Sequence, residues 1–128
     1  MNNITNIYLE LLLEAQFENK DFKRFDIYRG IEIYYNYEHV KQRLQERYQD
    51  INFSLIRKLI KALIKNILKN NNLKDIDVLN FVCKFIISEV WIAGRFKKNF
   101  GKWRVEINTV LPKNPIFSKT FNYYEVNK

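Results

Sequence analysis

The chain has very few of the residues on which disulfide-rich folds and common metal sites depend. Its 128 residues include one cysteine and one histidine, so an intrachain disulfide framework is excluded and a zinc site of the usual kind is not expected. The cysteine, Cys83, lies among Phe81, Val82 and Phe85, which predicts a small buried hydrophobic residue in a protein of a reducing compartment. We expect neither a metal nor another cofactor.

Glycine and proline are also scarce, with three and two residues, which favours long regular elements joined by few tight turns. Long uncharged runs are missing too, since no stretch reaches the ~18 apolar residues of a membrane-spanning helix. The N-terminal sequence MNNITNIYLELLLEAQ lacks the basic segment and cleavage site of a signal peptide. We therefore expect a cytoplasmic protein without a membrane segment.

Apolar residues and positive charge are abundant. The apolar fraction of 47% and the aromatic fraction of 16% exclude a disordered chain and predict one domain over residues 1–128. The formal charge of +8 and the pI of about 9.6 favour anionic partners, nucleic acid first and then a membrane surface or an acidic protein. The alternative is a charge that serves solubility in a protein rich in Lys and Asn.

Apolar periodicity predicts helices over residues 4–19, 39–48 and 53–70. The third has the clearest pattern and should cross the core. A row of cations recurs on another face of it, at Arg57, Lys61, Lys65 and Lys69.

Strand patterns occupy most of the rest. Ile31, Ile33 and Tyr35 alternate with polar residues and predict a strand that ends near Asn36. Residues 75–87 fit a short helix or a buried strand. Three β-branched and aromatic runs follow, EVWIAGRFKK, KWRVEINTVL and IFSKTFNYYEV, with a hairpin turn at NFG and a loop at PKNP. This order predicts an α+β fold, with helices packed on one face of a small, mostly antiparallel sheet.

The second half of the chain contains a basic hairpin with interleaved aromatic residues. Strand alternation places Arg95 and Lys97 on one face and Phe96 on the other. Such a face suits a phosphate backbone, with aromatic rings or Arg planes for unpaired bases. The alternative is an amphipathic strand with a solvated face. The nucleic-acid-binding candidates are Arg47, Arg57, Arg95, Lys97, Lys102, Arg104 and Thr109.

The only histidine has arginines at four-residue spacing, His39, Arg43 and Arg47, which lie on one flank of a helix. RNA cleavage without a metal needs a base for the 2′-hydroxyl, an acid for the leaving oxygen and cations for the phosphate. Histidine suits the proton transfers and arginine the phosphate. Glu32 and Glu106 are alternative bases, although strand glutamates are usually solvated.

The sequence NYEH at residues 36–39, followed by Arg43, Arg47 and a long apolar helix, resembles the barnase–RelE–colicin-type family of small metal-independent endoribonucleases, and within it the RegB-like enzymes. The resemblance covers about residues 31–68. It implies an RNase fold that cleaves mRNA by transesterification, in a phage-encoded or toxin-like protein with an antitoxin or host protein as a further partner. His39 and Arg43 would then be catalytic, and Thr109 would lie on the strand that carries a threonine in such folds.

One position departs from the resemblance, because Lys61 stands where RegB-like enzymes have a second catalytic histidine. A lysine there could bind phosphate, but it is a poor general acid unless its pKa is lowered. Lys61 is therefore a third catalytic candidate. The alternative function is a non-enzymatic interaction protein that inhibits a host defence or nucleic-acid-binding complex.

Overall fold

Two helices and six strands form the described part of the chain, which covers residues 24–70 and 77–128 of a computed structural model. In chain order they are β1 (Arg24–Tyr28), β2 (Ile31–Tyr35), α1 (Tyr37–Arg47), α2 (Phe53–Asn70), β3 (Val78–Phe85), β4 (Val90–Asn99), β5 (Lys102–Leu111) and β6 (Asn122–Val126). The helix predicted at residues 4–19 lies outside the described residues. The other two predicted helices are confirmed.

The six strands form one mixed sheet in the order β1-β2-β5-β4-β3-β6. The pairs β1–β2, β5–β4 and β4–β3 are antiparallel, whereas β2–β5 and β3–β6 are parallel. The predicted α+β class is therefore confirmed, whereas the sheet, expected to be mostly antiparallel, is mixed, with three antiparallel and two parallel pairs. The parallel pairs arise because β2 precedes the two helices and β6 follows a long loop, so neither strand joins its neighbour through a tight turn.

The main core lies between the helices and one face of the sheet. Residues of α2 at helical spacing are fully buried, among them Ile56, Ile60 and Ile64, together with strand residues such as Phe81 and Ile107. Burying each such side chain stabilises the fold by roughly 1.5–3 kcal/mol. The apolar row of α2 therefore shows, already in the sequence, which side of the helix faces the core. Cys83 is buried in the same cluster, and its burial raises the pKa of the thiol.

Helix α1 runs beside β5 where β2 has ended. The pairing of β2 with β5 stops at Ile107, so the later backbone carbonyls on that edge of β5 need other donors. The side chains of Asn36, Arg47 and Tyr48 donate to the carbonyl oxygens of Asn108, Val110 and Leu111, at 3.4, 2.7 and 2.7 Å. These bonds fix α1 along β5 and place His39 next to the strand.

Two local predictions are wrong, and the structure decides between the two alternatives for a third segment. The sequence predicted one strand where the chain forms the hairpin β1–β2. For the segment 75–87, predicted as a short helix or a buried strand, the described residues 77–87 contain strand β3 (Val78–Phe85). The last predicted strand is too long, because residues 116–121 form a loop in which Phe121 is buried and Phe117 packs against the same cluster, on Val82, Trp91, Ala93 and Leu111.

Candidate nucleic-acid interface

The hairpin β4–β5 turns through Phe100 and Gly101, as the sequence predicted. Both have positive φ, 51° and 79°, as in the two-residue type I′ turns that match strand twist. This turn sets the register, in which Arg95 faces Glu106 and Lys97 faces Arg104. The predicted alternation is confirmed, because Phe96 is fully buried on the helix side.

The sheet face opposite the helices is only partly covered. The 112–121 loop packs its phenylalanines over one half of it, on the cluster that contains Trp91 and Ala93. The other half, towards the hairpin turn, we call the open face. By strand register it includes the side chains of Tyr34, Arg95, Lys97, Arg104 and Glu106, and towards the edge of the sheet also those of Glu32, Phe25 and Ile27.

At the centre of the open face, a carboxylate lies between two guanidiniums. The Glu106 side chain is 11% exposed, with Arg104 Nε 3.0 Å from Oε2 and Arg95 Nε 4.0 Å from Oε1. The two cations offset the cost of burying the carboxylate. With Lys97 beside them, the group still has an excess of positive charge, which suits an anion.

Aromatic rings continue the open face towards the edge of the sheet. The Arg104 Cζ atom lies 3.9 Å from the centre of the Tyr34 ring, a close cation–π contact. The Phe25 ring stacks on Tyr34, with centroids 5.4 Å apart, and is itself exposed. The open face therefore combines cations with an accessible ring.

The histidine bonds to the same strand. His39 Nε2 lies 3.0 Å from Thr109 Oγ1, and the Thr109 hydroxyl donates to the Val110 carbonyl oxygen at 3.4 Å. Since that hydroxyl has one hydrogen, it accepts from His39, which assigns the imidazole proton to Nε2. The imidazole is half-buried, and this bond fixes its orientation.

A β-bulge relates this pair to the arginines. Thr109 faces Ala93 whereas Gly94 faces Ile107, so Asn108 is an extra residue in β5. Because of the bulge, Thr109 and Glu106 lie on the same side of the sheet, about 7 Å apart at strand spacing. Thr109 is fully buried and faces Ala93, so the His39–Thr109 pair lies where the open half of the sheet meets the covered half. We call His39, Thr109, Glu106, Arg95 and Arg104 together the open-face cluster.

Arg43 and Arg47 follow His39 along the same flank of α1. Arg43 Nη1 donates to Glu46 Oε1 at 2.7 Å, and this bond lowers the pKa of Glu46. Arg47 donates to the Val110 carbonyl oxygen, so at least one of its N–H groups holds α1 against β5. Arg43 lies one helical turn from His39, about 6 Å along the axis.

Two predicted site residues lie on the other side of the sheet. Arg57 of α2 pairs with Asp26 of β1, with Nε 2.9 Å from Oδ2, and the pair lowers the pKa of Asp26. Lys61 adds to that lowering from one turn further along. Asp26 also accepts from Tyr35, a residue of the main core. The structure therefore does not bring Lys61 or Arg57 to His39.

The remaining candidates stand near the hairpin turn. Lys97 lies on the open face, and Lys102 is exposed beside the turn. Glu32, the other glutamate considered as a base, is exposed as expected, whereas Glu106 is buried. The hairpin turn is the sequence signal that could have predicted the position of Glu106. A turn at residues 100–101 pairs Arg95 with Glu106 and so predicts an arginine beside the carboxylate.

Comparison with known proteins gives no match, since no family model, no curated protein and no solved structure matches this chain. Across residues 24–70 and 77–128, no helix is both long and apolar enough to cross a membrane. In the same residues, no group of three or more His, Cys, Asp or Glu side chains is placed to hold a metal ion.

Proposed function

We propose that the protein binds RNA, mRNA in particular, on the open face and cleaves it by metal-independent transesterification. The observation that supports this most is the open-face cluster, in which one histidine, two arginines and a glutamate share one side of the sheet. These groups match the three requirements of the reaction. The resemblance of residues 31–68 to RegB-like endoribonucleases supports the same activity.

In the proposed mechanism, the RNA phosphate binds Arg95 and Arg104, whose guanidiniums match its oxygens and stay charged. The phosphate thereby competes with Glu106 for the two cations and displaces the carboxylate from one of them. The Glu106 carboxylate, freed of one partner, takes the proton of the 2′-hydroxyl. Protonated His39 gives a proton to the leaving 5′-oxygen, which leaves a 2′,3′-cyclic phosphate and a 5′-hydroxyl.

The test is cleavage of an mRNA transcript in EDTA by the wild-type protein and by His39→Gln. General acid catalysis contributes about 10²–10⁴-fold, so we expect the variant to lose at least about 100-fold in rate. RNA that stays intact with the wild-type protein, or cleavage undiminished in the variant, contradicts the proposal.

The RNA-binding part has a matched pair of variants. Lys97→Gln and Lys119→Gln each remove one lysine charge, but only Lys97 lies on the open face, whereas Lys119 is exposed in the 112–121 loop. We expect weaker RNA binding from the first and little change from the second, measured by fluorescence anisotropy on RNA whose 2′-O-methyl groups prevent cleavage. Equal effects would mean that only the net charge matters.

A second function is an interaction protein without catalytic activity, which occupies a nucleic-acid site or an acidic surface of a host complex. The position of Lys61 favours it, because no second histidine or lysine of α2 accompanies His39. A stoichiometric protein partner that co-purifies, together with intact RNA in the cleavage test, would support this function over the first.

A further inference from the structure

Helix α2 has a second row of cations that the proposed site does not use. The helix spans 18 residues without an acidic side chain. Its cations fall on one flank and are called the α2 stripe, namely Arg57, Lys58, Lys61, Lys65 and Lys69. From first to last they cover about 18 Å of helix axis.

The start of the stripe forms a concave site. Ser54, Arg57, Lys58 and Lys61 line a surface depression over the first two turns of α2. Three cations and a hydroxyl there meet the positive end of the helix dipole. Arg57 also binds Asp26 of β1, which fixes the depression beside the edge strand of the sheet.

The chemistry of the stripe narrows the class of its ligand. A membrane surface does not fit, because the apolar side of α2 is buried in the core and has no residues left to insert. A linear row of exposed cations with near-regular spacing suits a polymer of regularly spaced negative charges. The stripe and the open face are on opposite sides of the sheet, and β1 is the edge strand between them.

We infer that the α2 stripe is a second binding surface for a nucleic-acid backbone and holds the part of the RNA that flanks the segment on the open face. The identity of the ligand as RNA rests on the proposed function. A short RNA occupies the open face alone, whereas a long one passes the β1 edge and contacts the stripe as well.

The experiment compares two triple variants of the full chain with equal loss of charge. K58Q/K65Q/K69Q removes three exposed lysines of the stripe, and K113Q/K119Q/K128Q removes three exposed lysines from the 112–121 loop and the C-terminus. Fluorescence anisotropy measures the Kd of each for a 6-nucleotide and a 30-nucleotide RNA at several salt concentrations, with 2′-O-methyl groups in both RNAs so that the proposed reaction cannot cut them. Thermal melting confirms that both variants are folded.

We expect the stripe variant to bind the 30-nucleotide RNA about ten- to a hundredfold more weakly than the wild-type protein at 0.1 M salt. The slope of its log Kd against log salt concentration should be smaller by about 2, which is the value for three lost phosphate contacts. The 6-nucleotide RNA should bind both variants equally. Equal effects of the two variants on the long RNA overturn the inference, as does polyglutamate that binds the stripe as tightly as RNA.

The same proteins separate this inference from the proposed function. Cleavage by the wild-type chain with equal binding by both variants leaves the function standing and removes the stripe. Loss of long-RNA binding in the stripe variant, without any cleavage by the wild-type chain, leaves the stripe standing and removes the catalytic proposal.

Discussion

The bond from His39 to Thr109 turns a helical side chain towards a strand. Without it, the imidazole on the flank of α1 could take several rotamers. Glu106 is constrained in a similar way by Arg95 and Arg104, which hold its carboxylate below the surface. The two groups assigned to proton transfer, His39 and Glu106, are therefore held in position by side chains that do not take part in the proton transfer.

Thr109 is a positioning residue in this account. Thr109→Val keeps the volume but removes the hydroxyl, and a lost hydrogen bond of about 0.5–1.5 kcal/mol should slow RNA cleavage about two- to thirteenfold. Thr109→Ser should keep the wild-type rate. Nitrogen NMR of His39 gives an independent measurement, since the proton on Nε2 should become less favoured in the valine variant only. Unchanged ring signals in that variant would contradict the role.

The Asp26–Arg57 pair predicts a dependence of stability on pH. Arg57 lowers the pKa of Asp26 in the folded protein, so the pair stabilises the fold above about pH 4, the ordinary value, and this contribution is lost as the pH falls towards the lowered value. Asp26→Asn should cost about 1 kcal/mol at pH 7, because water screens the half-exposed Arg57.

Urea unfolding at pH 7, 5 and 3 measures this difference. The gap in unfolding free energy between the wild-type protein and Asp26→Asn should narrow at pH 3. Glu46→Gln is the matched control, since Glu46 also pairs with an arginine but at an exposed site, and it should change little. A gap for Asp26→Asn of the same size at all three pH values would rule out the pair as its cause.

At the scale of elements, the position of the site depends on where strands stop and shift. The end of β2 leaves an edge of β5 that α1 occupies, and the bulge at Asn108 places Thr109 on the same side as Glu106. The turn at Phe100 and Gly101 sets which side chains face each other. Phe100 has a positive φ, which is unfavourable for a residue with a side chain, and no core packing compensates for it because the residue is 98% exposed. The turn geometry therefore outweighs the backbone preference of the residue.

Gly94 lies opposite the bulge, where β4 and β5 approach closely. A Cβ atom there would lie 2.9 Å from Cζ of Phe81 and overlap the backbone oxygen of Glu106. Gly94→Ala should therefore destabilise the protein by about 1–3 kcal/mol and displace Glu106. Chemical denaturation measures the loss, and weaker RNA binding should accompany it.

The control for Gly94 is Gly101→Ala. No atom lies within 4 Å of a Cβ at Gly101, but its φ of 79° is unfavourable for alanine, so about 1 kcal/mol should be lost without a change in RNA binding. A Gly94→Ala protein as stable as the wild type would refute the close approach.

The sequence predicted the elements whose patterns are repeated over many residues. The apolar row of α2 and the alternation around Phe96 are each compatible with only one way of burying their apolar residues. The structure buries them in that way, and both predictions are confirmed. The sequence does not distinguish β1 from β2, because β1 is short and its alternation is inverted. Its apolar residues Phe25 and Ile27 are exposed, whereas Asp26 lies on the helix side. Residues 116–121 were predicted as strand because loop phenylalanines that cover a sheet resemble strand residues in composition.

The sequence predicts only some residues of the candidate site, because the contacts between them depend on long-range structure. His39 and Thr109 were named, but their contact depends on the end of β2 and on the bulge, neither of which has a local sequence signal. Lys61 was placed with His39 by helical alignment, whereas the sheet separates them. Glu106 was treated as solvated because its burial depends on two arginines, one from its own strand and one from the paired strand.

In the whole molecule, whose net charge is +8, cations gather on two surfaces of the residues that the structure describes. The open face combines cations with a histidine, a glutamate and exposed rings, whereas the α2 stripe has cations alone. The first is suited to chemistry on a phosphodiester and the second to holding a backbone. The open face reaches β1 through Phe25, and the α2 stripe reaches it through the Arg57–Asp26 pair. One long RNA could therefore contact both.

Transesterification on the open face would leave defined ends on the RNA fragments, which can be identified chemically. In EDTA, the wild-type protein should produce 2′,3′-cyclic phosphate and 5′-hydroxyl ends, and a single 2′-deoxy nucleotide at the cleavage site should block that cut. Fragments with 5′-phosphate ends, cleavage that persists at the 2′-deoxy nucleotide, or RNA that stays full-length would contradict the account.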